Sequence, residues 1–308
     1  MTIPVWFQDW YNNGSGGVAA AAQTYIDRVE ADGGAVESIG CVPSAVWDWT
    51  TFTGPLNGSG FIGVLDALPA AQFAVSYRRL TGNYSGNCSQ VIRSSDLTSQ
   101  DIGFVANVED TASLLSFVGA NDGFRSVWYD QSGNTRDASQ ATQASRPRIV
   151  SSGTLDTLGG VPAPVFDGSD DFLALASTLN IGTISTVAFV GRLDSASIVW
   201  GVNSNNYIYV QANIVRVRLG DFDNTWNNQN DVPHMFGIER SIIAVRNGAS
   251  VTLYVDGVSK GTKTSGAGTS ASFDNIGAHF ARLNGQAKEV IVWTEELTST
   301  QITTYVSF

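Results

Sequence analysis

Cysteine and histidine are nearly missing. Cys41 and Cys88, His234 and His279 are all that occur in 308 residues. The two cysteines are far apart and lack metal-ligand spacing, so they read as buried thiols rather than a disulfide framework. A Cys/His zinc site and a Ser-His-Asp triad are both disfavoured by so few imidazoles. Charge is scarce too: 15% of residues are Asp, Glu, Lys or Arg, and 17 basic against 28 acidic residues leave a net charge of -11. A chain of that sign repels a phosphate backbone, which argues against nucleic acid as a partner. No apolar run reaches membrane-spanning length, and MTIPVWFQDW lacks the basic n-region, apolar core and small-residue cleavage site of a secretion leader. The expectation is a soluble protein without membrane insertion.

What remains is 43% hydrophobic and rich in Gly (32 residues), Ser, Thr and Asn. That usage fits many short strands joined by tight turns around a sizeable core. Residues 1–60 read differently from the rest. Apolar positions at Val18, Ala22, Tyr25, Ile26 and Val29 predict one amphipathic helix over 18–32, with Ser15 as a candidate cap and Gly33-Gly34 as its stop. Aromatic clusters flank it: Trp6, Phe7, Trp10 and Tyr11 before, Trp47, Trp49 and Phe52 after, followed by the linker-like TGPLNGSG. From about residue 61 short apolar runs alternate with turn residues, the pattern of a β-sandwich. A short helix is expected between Asp110 and Gly119. VTLYVDGVSKGTKT predicts a hairpin turning on Asp256-Gly257, QAKEVIVW a strand, and Thr298-x-x-Gln301 a capping box opening a last helix.

FDGSDDFLAL (166–175), LYVDG (253–257), FDNIGA (273–278) and GQAKEVIVWTEELTSTQI (285–302) resemble the laminin G-like, concanavalin A-like jelly roll. AVSYRRLTGNYSG, VIRSSDLTSQDIGF and WYDQSGNTRDASQA, within 74–141, are similar to the opening of the arabinofuranosidase B catalytic domain. Joined to a front end like AAAQTYIDRVEADGGAVESIGCV, the combination resembles bacteriophage virion proteins. The resemblance implies an all-β, concanavalin A-like jelly-roll sandwich of antiparallel strands over 61–308, behind an N-terminal docking segment, 1–60, with a short helical segment. It implies a homo-oligomeric virion protein, made in the host cytoplasm and displayed as a head decoration, fibre or tail-associated protein.

The glycosidase family takes its nucleophile from a glutamate between the FDG-like strand and the YVDG-like hairpin. No Glu occurs here between Asp110 and Ile238. The chain is therefore expected to bind rather than turn over, and no cofactor is expected. Asp221, Asp223 or Asp231 would stand where that family has its general acid, and a glycoside hydrolase or depolymerase remains the alternative. The candidate carbohydrate site is GDFDNTWNNQND, with Trp226 for stacking and Asp221, Asp223 and Asn227 for hydroxyls. Asp167, Asp170 and Asp171 are the candidate Ca²⁺ ligands, set against a plain strand-end turn. Partner docking falls to Trp6, Phe7, Trp10, Tyr11, Trp47 and Trp49, large rings in a segment with little structure of its own to bury them. Asp130 and Asp137 read as turn-makers, with Arg136 paired to a neighbouring Asp. Arg78, Arg79 and Arg93 read as ion-pair partners of Asp96 or Asp101.

Overall fold

A computed structural model describes residues 61–203, 205–227 and 231–308. The helix expected over 18–32, the docking aromatics Trp6, Phe7, Trp10, Tyr11, Trp47 and Trp49, the linker and Cys41 lie outside the described residues. The chain divides into two units, Met1–Ile62 and Gly63–Phe308.

The second unit is an antiparallel sandwich. Its principal strands are, in chain order, β1 (Phe73–Ser76), β2 (Ser89–Arg93), β3 (Gly123–Trp128), β4 (Leu173–Gly182), β5 (Ile184–Leu193), β6 (Ser197–Asn203) and β7 (Asn206–Gln211). They continue with β8 (Ile214–Leu219), β9 (Phe222–Asn227), β10 (Glu239–Asn247), β11 (Ser250–Val255), β12 (Val258–Thr264), β13 (Ala271–Ile276) and β14 (Asn284–Trp293). One wall has the order β12-β11-β10-β5-β14-β1. The other runs β2-β3, then through the short strand Ala138–Ser139 to β4-β13-β6-β7-β8-β9. Val165–Asp167 and Arg148–Ser151 bridge β14 to β3, so the walls join along that side.

Between the walls lies the main core, in which Trp128, Phe166, Phe189, Trp200, Phe222, Trp226 and Phe273 meet the aliphatic residues of β5, β8, β10 and β14. Each wholly buried side chain of this size contributes roughly 1.5–3 kcal/mol relative to exposure. The centre of the first wall, β10-β5-β14-β1, is buried on both faces. Val187, Phe189, Val290 and Val292 point into the sandwich, while Ala188, Ile243, Ile291 and Trp293 point outward under a second cluster. Val64, Leu68, Ala71, Leu80 and Leu297, with Ile302 and Tyr305 of the last helix, form that cover. This is why EVIVW reads as a continuous apolar run rather than an alternating one.

Several local expectations are met. Helix α1 (Thr111–Val118) starts at Asp110, whose Oδ1 accepts from Ser113 N at 3.0 Å, and stops at Gly119. The β11–β12 turn has positive φ at Asp256 (53°) and Gly257 (73°). Helix α2 (Ser299–Ser307) opens with the Thr298/Gln301 capping box. Cys88 is a buried free thiol. The arginines depart from expectation in part. Arg93 does meet Asp96, but Arg78 reaches across the sequence to the buried Glu289, at 2.9 Å, and Arg79 lies over the Phe104 ring.

Candidate functional site

WYDQSGNTR leaves β3 and is consumed by structure. Asp130 Oδ1 accepts from Ala74 N at 2.9 Å and Ser132 N at 3.0 Å, and its Oδ2 accepts from Ser132 Oγ and Arg136 N. Gln131 accepts from Leu80 N and donates to the carbonyls of Ser76 and Arg78. Asn134 donates to Ala71 O and Gln72 O. β1 pairs with β14 on one edge only, so side chains of this loop stand in for a further strand on the other. The loop is a staple between the walls, as its Asx-type pattern implies. Arg136 corrects one detail: its Nη1 donates to Gln72 O at 2.9 Å, a carbonyl rather than an Asp.

The segment 220–231 departs from the carbohydrate site expected there. Trp226 has no exposed surface; its indole N–H donates to Gly261 O at 3.2 Å and its ring lies in the main core. It cannot stack on a sugar. Side chains alternate along a strand, so Phe222 and Trp226 share the inner face while Asp223 and Asn227 take the other. Asp221 is spent on a loop: its carboxylate accepts the backbone N–H groups of Ala267, Gly268 and Thr269 at 2.6, 3.1 and 2.8 Å. Those bonds draw its pKa down to about 2. Asp223 is held bidentate by Arg216 at 2.8 and 2.6 Å, which lowers its pKa as well. A general acid must keep its proton near working pH, and neither carboxylate is placed to do so. Asn227 is exposed, and its N–H donates to Asp231 Oδ2.

The structure brings together a different set. Ile208, Val210, Val215 and Val217 fill the core, so the opposite side of β7 and β8 presents Tyr207, Tyr209, Arg216 and Arg218. Register sets Tyr207 opposite Arg218, Tyr209 opposite Arg216, and Arg218 opposite Asp223. The turn after β13 lays Phe280 beside them, 59% exposed. Its ring centroid lies 5.1 Å from Tyr207, 5.4 Å from Tyr209 and 5.2 Å from His279. Arg216 stacks over the Tyr207 ring at 5.6 Å. Gly201 makes the arrangement possible: a Cβ there would sit 3.1 Å from Ala278 O and 3.4 Å from His279 Cβ. Near His279, Asp274 accepts from Thr178 Oγ1 and Asn275, and burial raises its pKa.

Tyr207 itself is buried, 2% exposed, so the open part of this patch is Phe280 with the half-buried Tyr209, ringed by fixed hydrogen-bonding groups and able to meet a ligand with one apolar face and a polar rim. Sequence reasoning placed Asp223 there and missed the rest. The signal available was the pair Tyr-x-Tyr and Arg-x-Arg on successive strands. His279 and Phe280 arrive only through tertiary packing.

Asp167, Asp170 and Asp171 do converge, with carboxylate oxygens within 4.8 Å of one another. Their hydrogen bonds close the turn on itself: Asp167 accepts from Ser169 N and Asp170 N, and Asp171 accepts from Asp167 N. Burial and the two neighbouring carboxylates push Asp171 up to about 6.

No family model and no curated protein matches the chain. Among solved structures it is similar to a GH54 α-L-arabinofuranosidase soaked with a cyclic sulfate inhibitor. The identity is 14% and the TM-score 0.58, over 77% of this chain and 62% of that one. It is also similar to an arabinofuranosidase complexed with arabinofuranosyl-α-1,2-xylobiose, at 14% identity and TM-score 0.59, over 80% of this chain and 65% of that one. The chain thus spans less than two thirds of the length of either enzyme. Likeness at that identity reaches the architecture and stops there: the described residues form an all-β, jelly-roll-like antiparallel sandwich.

Proposed function

We propose that this is a non-enzymatic glycan-binding jelly roll, displayed on a bacteriophage particle. The observation that carries the binding reading is the Tyr209–Phe280 patch, backed by the buried Tyr207, with Arg216, Arg218, Asp223 and His279 around it. Sugars offer an apolar C–H face and a rim of hydroxyls, and this surface offers rings with donors and acceptors beside them. The virion setting rests on the sequence resemblance of the N-terminal stretch and the jelly roll together. Absence of turnover is motivated by the missing glutamate and by Asp221 and Asp223 being held ionised.

One observation favours the rival hydrolase or depolymerase: Asp274, on the same side as His279, has the raised pKa that a proton donor needs. Its disadvantage is that Asp223 is already bound by Arg216. Both readings meet the same test. The full chain is applied to immobilised oligosaccharides, and reducing ends are counted in parallel. Retention that is lost in a Tyr209→Ala/Phe280→Ala double variant, without release of reducing ends, is the expected result. Hydrolysis abolished by Asp274→Asn would replace the binding reading with the enzymatic one.

A further inference from the structure

We infer that the glycan this face receives is acidic, with a sugar carboxylate bound by Arg218; this rests on the binding reading above. Asp223 is claimed by Arg216 through two short bonds, and Arg218 approaches it only at 3.7 Å through Nε. Among the described residues the Arg218 Nε has no hydrogen-bond partner, and it is shielded from solvent. Three charged groups therefore stand together, two guanidinium ions against one carboxylate, with the second guanidinium unspent. A guanidinium matches a carboxylate through two parallel N–H···O bonds, and with Nε shielded in a side chain that is 32% exposed, the terminal nitrogens of Arg218 are the donors left to meet one.

Position identifies the ligand class further. Arg218 sits directly across from Tyr207, whose ring meets Phe280 at 5.1 Å. Tyr207 is buried, so the aromatic surface an anion bound there would find beside it is the exposed Phe280 ring, which a free inorganic anion does not use and a sugar ring does. The chain's net charge of -11 makes a cation held only loosely, 3.7 Å from an Asp223 already taken by Arg216, more telling on this face, because the bulk of the molecule repels anions. Screening confines that repulsion to roughly 10 Å at 0.1 M salt, so the local pair of arginines decides what is bound at contact.

The experiment uses the full chain on a printed array in which each carboxylate-bearing oligosaccharide is matched with its carboxyl-reduced, neutral counterpart, with sulfated oligosaccharides alongside. The expected result is preferential retention of carboxylate-bearing glycans, falling on the order of tenfold in Arg218→Gln. The readout is the ratio of charged to neutral retention within each protein, which should fall toward one in Arg218→Gln, and an unchanged melting temperature confirms that the variant is folded. Arg218→Lys keeps the charge without the fork and should recover the preference only in part. Equal retention of charged and neutral forms, preference for sulfated glycans alone, or a preference that survives Arg218→Gln overturns this inference and leaves the glycan-binding face standing. No retention of any oligosaccharide overturns both.

Discussion

The loop at 130–136 and the outer face of β7–β9 draw on similar residue types, and their outcomes are opposite. In the loop, Asp130, Gln131, Asn134 and Arg136 each bond to the backbone of residues 71–80 and so are spent on holding the fold. On the face, Arg216 and Asp223 satisfy each other, Arg218 reaches Asp223 only at 3.7 Å, and the Phe280 ring stays exposed. Aspartate, arginine and aromatic residues in one stretch therefore do not distinguish a staple from a site. What distinguishes them is how many donors, acceptors and ring faces are left after the fold has taken its share.

That contrast can be broken by substitution, and the largest effect is expected where a supposed ligand residue is structural. Trp226→Ala should cost about 3–5 kcal/mol in chemical denaturation, because it empties a core position. Its glycan selectivity, measured below the melting temperature, should match that of the parent. A lost selectivity at unchanged stability would return Trp226 to the binding site. Next comes Asp130→Ala, which strips acceptors from buried donors and should destabilise by about 1–3 kcal/mol. Amide exchange at Ala74 should speed up, while retention on the glycan array stays as it was for the folded fraction.

A smaller effect should appear as a pH dependence of stability. Backbone bonds lower the folded-state pKa of Asp221 from 3.8 to about 2. An acid with a depressed folded pKa stabilises the fold above its unfolded value and loses that contribution as pH falls through the folded one. Denaturation midpoints should therefore drop between about pH 3.8 and about pH 2, and Asp221→Asn should flatten that drop. An identical pH profile for the variant would mean that the N–H cage around Asp221 contributes nothing. Asp171 has the reverse sign. Its folded pKa, raised to about 6, costs stability above that pH and the cost fades as pH falls toward 3.8. Asp171→Asn should thus raise the melting temperature near neutrality. A rise in the parent's melting temperature on adding calcium chloride, lost in the variant, would instead assign the three-aspartate turn to a cation.

The smallest stability change belongs to the face. Phe280 is mostly exposed, so Phe280→Ala should alter folding free energy by no more than about 0.5 kcal/mol while weakening glycan retention. Destabilisation comparable to Asp130→Ala would make the ring a packing element and erase the contrast with the loop.

Local signals in the sequence sufficed for the elements whose physics is local. The Asp110 cap, the Asp256-Gly257 turn and the Thr298/Gln301 box each depend on residues within a few positions of one another, so their identities dictate the conformation. The turn role of Asp130 was legible for the same reason, through its bond to Ser132 two residues on. Trp226 was misplaced although strand parity, shared with Phe222, already set it opposite Asp223 and Asn227. What parity cannot say is which of two faces looks inward. That was decided by packing: the centre of the first wall is covered on both sides, while among the described residues the face of β7–β9 away from the core is covered only in part. The partnership of Arg78 with Glu289, 211 positions away, and the arrival of Phe280 beside Tyr207 likewise exist only after the sheets pair. Composition and spacing determined that this chain makes a β-sandwich. Tertiary structure alone decided which polar groups were spent inside it and which were left facing out, because hydrogen bonds and buried surface are assigned between partners that the sequence keeps far apart.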